Sequence, residues 1–93
     1  MIYKLTYENI GQFDMEIVDS EESSYAEVKD VLRDRPSHLD TFDKHGFVFP
    51  NMGGRVIYVD GDRLDVAFGS IAMHPETKIV IKKHFIDRYI KLI

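Results

Sequence analysis

Tyr3, Leu5 and Tyr7 alternate with Lys4, Thr6 and Glu8, and further on Phe13, Met15 and Ile17 alternate with Asp14, Glu16 and Val18. A period of two sends successive side chains to opposite faces, which is the signature of a strand. Asn9 to Gln12 lie between the two runs and contain Gly11, so the segment predicts an N-terminal β-hairpin with one wet face. The pattern breaks at Asp19-Ser20-Glu21-Glu22-Ser23. Ser24 and Glu27 then have capping-box spacing, and Tyr25, Val28, Val31 and Leu32 recur as on one side of a helix. Arg33 suits the end of that helix, and Pro36 is expected to stop it. A short second helix follows, capped by Ser37, with Leu39 and Phe42 facing inward and Gly46 in the left-handed position after it.

Phe47-Val48-Phe49-Pro50 predicts a short buried strand, and Asn51-Met52-Gly53-Gly54 a loop. The next stretch, Arg55 to Phe68 (RVIYVDGDRLDVAF), predicts the central hairpin of the fold. Two strand-like runs flank Asp60-Gly61-Asp62, where a turn would use the freedom of glycine at positive φ. Its second arm is expected to run on through Ser70 to Met73. His74-Pro75-Glu76-Thr77 then predicts a turn, and Lys78 to Ile81 one more strand. The tail, KKHFIDRYIKLI, carries Phe85, Ile86, Tyr89, Ile90, Leu92 and Ile93 at helical spacing. Ile86, Ile90 and Leu92 also fit one face of a strand interrupted by Arg88, but the helix is the preferred reading. Together these elements predict a single α+β domain spanning residues 1–93, with an antiparallel sheet of about five strands and two or three helices packed on one face.

Size and composition narrow the picture. A chain of 93 residues is one domain's worth. Hydrophobic residues at 44% and charged residues at 30% belong to a globular chain. There is no cysteine, so disulfides, thiolate zinc sites and cysteine nucleophiles are excluded, and a reducing, cytoplasmic setting is the expectation. The N-terminus lacks the pattern of a secretory signal, and no run reaches the length of a membrane span. Charge is unevenly placed. Residues 1–45 hold eleven acids against five Lys/Arg, whereas residues 46–93 hold seven Lys/Arg against five acids. The net −4 argues against general nucleic-acid binding and leaves an acidic surface free to meet a basic partner.

Several residues have chemistry worth testing against the fold. His38, Asp40, Asp43 and His45 lie within eight residues. On a helix, however, the two imidazoles would sit about 10.5 Å apart along the axis. They could not share a zinc ion that binds nitrogen at roughly 2 Å. Gly53-Gly54-Arg55 leads into a strand and lacks the rest of a phosphate-binding signature. Asp60, Asp62 and Asp65 gather acids near a turn, but the twelfth residue from Asp60 is Ile71, so the closing glutamate of a calcium loop is missing. Ser70 has no nucleophile-elbow context, and nothing local sets His74 or His84 beside a hydroxyl. No catalytic centre, cofactor or metal site is therefore expected.

What remains is surface. Asp19, Glu21, Glu22, Glu27, Asp30 and Asp34 gather around the first helix, diluted by Lys29 and Arg33. Lys82, Lys83, Arg88 and Lys91 flank the apolar stripe of the tail, in which Phe85 and Tyr89 stand out. The sequence thus predicts a non-enzymatic protein-interaction module or small regulatory inhibitor. It would act through the acidic helix face (Glu21, Glu22, Glu27, Asp30, Asp34) and an apolar surface (Phe85 and Tyr89, with Lys82, Lys83 and Arg88), with a homodimer as one use of the tail. A metal-dependent enzyme built on the His38–His45 segment and nucleic-acid binding through the basic tail are the alternatives.

Overall fold

The computed structural model describes residues 1–12, 14–50 and 55–89. The chain runs β1 (Ile2–Asn9), β2 (Met15–Ser23), α1 (Tyr25–Val31), α2 (Pro36–His45), β3 (Phe47–Val48), β4 (Val56–Asp60), a single 3₁₀ turn (Gly61–Arg63), α3 (Leu64–Gly69) and α4 (Pro75–Arg88). The four strands form one antiparallel sheet in the order β2-β1-β4-β3. The fold is α+β, as expected, with four strands among the described residues rather than about five.

The N-terminal hairpin forms, but its second strand runs on through Asp19–Ser23, the segment expected to break the pattern, because those residues pair with Thr6 to Ile2. Tyr7 lies opposite Ile17 and Thr6 opposite Asp19, so Val18 is the extra residue of a β-bulge. The Ser24 hydroxyl accepts the Glu27 N–H at 3.1 Å and caps α1. The Glu27 carboxylate in turn accepts from the hydroxyls of both Ser23 and Ser24. Pro36 does not stop α1, which has already ended at Val31; it opens α2, where a missing N–H costs nothing and φ is preset. Arg35, not Ser37, holds the N-cap position of α2. Gly46 ends that helix with φ 77°, as its position predicts.

The expected central hairpin is not there. Val56–Asp60 is a strand, but it pairs with β1 on one side and β3 on the other. Beyond Asp60 the chain turns helical: the Asp60 carboxylate accepts the Asp62 N–H at 3.0 Å and starts the 3₁₀ turn. Leu64, Ala67 and Phe68 then pack together at i, i+3 and i+4. Gly61 is needed for space: a Cβ there would stand 2.8 Å from the Tyr3 ring and 3.0 Å from the Met1 carbonyl. Residues 78–81, expected as a strand, lie inside α4, and the expected turn at His74–Thr77 is its start, with His74 as cap and Pro75 at the first position. The tail is helical as far as Arg88. Phe13, residues 51–54 and residues 90–93, which include the expected glycine loop and part of the tail stripe, lie outside the described residues.

Helices cover both faces of the sheet, not one. On one face Leu5, Phe47, Ile57 and Val59 meet Ala67 of α3 and Ile81 and Phe85 of α4. On the other, Ile2, Val48 and Tyr58 meet Val28 and Leu32 of the α1 region and Phe42 of α2. This explains why Ile57, Tyr58 and Val59 are all buried in succession: β4 is central and packed on both sides. The α1–α2 layer does not reach the outer hairpin. Glu8, Glu16, Asp19 and Glu21 are exposed there.

Candidate interaction surface

Among the described residues β2 is an edge strand, and its side chains separate cleanly by register. Residues directly opposite each other share a face. Ile17, Ser20 and Glu22, opposite Tyr7, Leu5 and Tyr3, therefore lie on the α4 side. The Ser20 hydroxyl accordingly meets the Tyr89 hydroxyl at 2.6 Å. Glu16, Asp19, Glu21 and Ser23 lie on the α1 side, where Glu21 is 3.6 Å from the Lys4 ammonium. The Ser23–Glu27 hydrogen bond carries this acidic row onto α1, which adds Glu27 and Asp30, both exposed. Asp34 follows in the turn after α1 and is also exposed. Lys29 lies over the Tyr25 ring and Arg33 pairs loosely with Asp30 at 3.9 Å.

The apolar half of the expected surface is largely internal. Phe85 is 1% exposed and sits in the core, so it offers nothing to a partner. Tyr89 is part-buried, with its ring 4.3 Å from that of Tyr3. The apolar side of α4 packs on its own sheet because Ile81 and Phe85, four apart, both point there. Lys82, Lys83 and Arg88 are the exposed side of the same helix, on the far face of the sheet from α1.

The His38–His45 segment is α2, and its groups are drawn to different neighbours. Asp43 accepts the Tyr25 hydroxyl at 2.8 Å, and this bond, which holds the phenol proton, pushes the Tyr25 pKa up. His45 Nδ1 lies 3.0 Å from Ser70 Oγ, a pairing no local pattern announces. That oxygen also accepts the Ala72 N–H at 3.2 Å, so the contact fastens the α3–α4 connection to the end of α2. No group of three His, Asp or Glu among the described residues is arranged to hold a metal ion. Asp60 pairs with Arg63 at 3.0 Å, and Asp62 with the N-terminal ammonium.

A feature missed from the sequence is a cleft of about 470 Å³ between β2 and α4. Met15, Ile17, Ile79 and Val80 form its apolar lining, and Glu16, Lys83, His84 and Asp87 its polar part. Spacing within α4 hints at its helical half, but the β2 half depends on long-range pairing. His84 Nε2 is buried without a hydrogen-bond partner. Burial, then the Arg88 charge, pulls the His84 pKa below its ordinary value, against a smaller opposing effect of Asp87. The folded state therefore favours neutral His84. Below about pH 6.5 the unfolded chain binds this proton more readily. The contribution of neutral His84 to stability is complete above that pH and is lost as pH falls toward the lower folded value. Urea midpoints at pH 7.5 and 5.0 should differ more for the parent than for His84→Gln; equal differences would refute this.

No protein-family model matches the chain, and neither curated proteins nor solved structures return a match. No helix among the described residues is long and apolar enough to cross a membrane.

Proposed function

We propose that this protein is a non-enzymatic interaction module whose acidic hairpin–α1 surface docks on a basic segment of a protein partner. The observation that carries this reading is the continuity of Glu16, Asp19 and Glu21 on the α1 side of β2 with Glu27 and Asp30 on α1, all exposed. Charge of one sign over two adjoining elements steers an oppositely charged partner and selects against like-charged ones. The basic row of α4 lies on the other side of the sheet and does not cancel it at close range.

Fluorescence anisotropy with a labelled Lys/Arg-rich peptide tests the proposal. Binding should weaken steeply as salt rises, because these charges are exposed and screened. Glu21→Lys combined with Glu27→Lys should weaken it about tenfold or more, roughly 1.4 kcal/mol, while Lys82→Glu should not weaken it. A double reversal that binds as well as the parent would sink the reading. So would a peptide that fails to bind even at low salt.

A further inference from the structure

We propose that the outer edge of β2 takes up the basic partner segment as a fifth strand, with one apolar side chain of that segment seated in the cleft between β2 and α4. This inference rests on the acidic-surface reading above and adds to it the mode of binding.

The backbone supports it first. The Tyr7 N–H bonds the Arg55 carbonyl, on the β4 side of β1. Antiparallel alternation then turns the backbone of Tyr3, Leu5 and Tyr7 toward β4 and that of Ile2, Lys4 and Thr6 toward β2. On β2, the residues opposite the first set are Glu22, Ser20 and Ile17, and their N–H and C=O groups face outward from the sheet. The Ser20 N–H is already bonded to the Asp19 carboxylate at 2.9 Å, as expected for a group with no strand beside it among the described residues. An incoming strand thus meets the outward-facing donors of Ile17 and Glu22 and the carbonyls of all three. Main-chain bonds of this kind give affinity in strand addition, and the pockets for alternate side chains give specificity.

The side chains then specify the occupant. A residue placed opposite Ile17 shares its face, and Ile17 lines the cleft, so that side chain enters between Met15 and Ile79. Residues opposite Glu16, Asp19 and Glu21 share the α1 face with those acids, and a residue opposite Glu22 meets a further acid. Asp87 balances Lys83 among the charged side chains of the cleft, so the cleft does not repel a basic segment. The edge therefore suits an extended segment with one apolar residue set among lysines and arginines. A second copy of β2 is a poor occupant, since it would set acid against acid, and like charges in opposition destabilise strand pairs. The Val18 bulge and the Asp19 cap further blunt the edge against indiscriminate pairing.

Three peptides decide the matter: a labelled Lys/Arg-rich peptide with one central leucine, the same peptide with alternate backbone amides N-methylated, and the same peptide with the leucine changed to serine. The first should bind most tightly. N-methylation should weaken binding at least tenfold, and leucine removal should weaken it severalfold. Exchange of the Ile17 and Glu22 amides should slow at least tenfold on binding, with Ser20 little changed. Ile79→Glu, at an exposed helix position, should abolish the preference for leucine. If the methylated and parent peptides bind alike and the β2 amides exchange unchanged, strand addition is wrong while docking on the acidic surface survives. If none of the peptides binds at low salt, both fall.

Discussion

Replacing Phe85 by alanine should lower the unfolding free energy by about 3–5 kcal/mol, the range for deleting a large aromatic side chain from a packed core. Domain stabilities are only about 5–15 kcal/mol, so the loss is a large fraction of the whole. Phe85 packs edge-on against Tyr3 at 5.2 Å and lies 5.5 Å from the Tyr89 ring. It also belongs to the cluster of Leu5, Ile57 and Val59 that holds α4 to the sheet. Tyr3 and Tyr89 line a pocket beside it together with Gly61, where the Tyr3 ring leaves no room even for a Cβ, so they cannot collapse far. The cavity should therefore persist, which places the loss toward the upper part of the range. Urea unfolding measures it, and each kcal/mol should appear as a Tm drop of about 4–8 °C in a domain of this size. Ile79→Ala, on the exposed side of the same helix, should change stability by less than about 0.5 kcal/mol. Equal effects from the two substitutions would mean that α4 is not docked as described, and the tail stripe would again be a candidate for partner binding.

The contrast between Phe85 and Ile79 also shows where the sequence could be read and where it could not. β1 alternates throughout and β2 as far as Ile17, and the Ser24 cap and Gly46 each use local chemistry with few alternatives, so those parts were legible. The Val18 bulge and the run of β2 on to Ser23 depend on pairing with β1 and were not. Nor was the span from Gly61 to Ile81. Leu64, Val66 and Phe68 satisfy a period of two, while Leu64, Ala67 and Phe68 satisfy a helical one, and only the packing of Ala67 under the sheet decides between them. The Asp60-Gly61-Asp62 turn looked like a hairpin because glycine serves two ends: positive φ, and close approach without a Cβ. Here it serves the second.

The surface follows the same division. The exposure of Glu27 and Asp30 could be read from helical spacing. That β2 is an edge could not, because it depends on β4 pairing with β1 across about fifty residues of chain, and such pairing leaves no local mark. The meeting of Ser70 with His45 is equally non-local. Phe85 was legible as part of a helical stripe, but a stripe does not say whether its own sheet or a partner covers it, and the expectation that a partner does is corrected by its place in the core.

Arg63→Ala should be the most damaging change at a polar side chain, costing about 2–4 kcal/mol. Its guanidinium donates to the Asp43 carbonyl at 2.7 Å and to the Phe42 carbonyl at 3.1 Å, both in the last turn of α2. Helix ends leave such carbonyls short of partners and carry partial negative charge, so a cation there gains twice. The same group donates through Nε to Asp60 at 3.0 Å, which anchors the start of the 3₁₀ turn. One side chain thus joins α2 to the β4–α3 corner, and three charge-assisted bonds would be worth more were they fully buried. Arg63 is 34% exposed in its side chain, so water replaces part of what is lost, and the figure is reduced accordingly. Arg63→Lys should recover less than half, since one ammonium cannot reach all three acceptors with the planar fork of a guanidinium. Asp60→Asn should cost less than Arg63→Ala, because the two α2 carbonyls keep their donor. Denaturation of the three variants orders them directly. If Arg63→Ala falls within about 0.5 kcal/mol of the parent, water alone satisfies the end of α2, and Gly46 with its backbone bond to Phe42 suffices to close the helix.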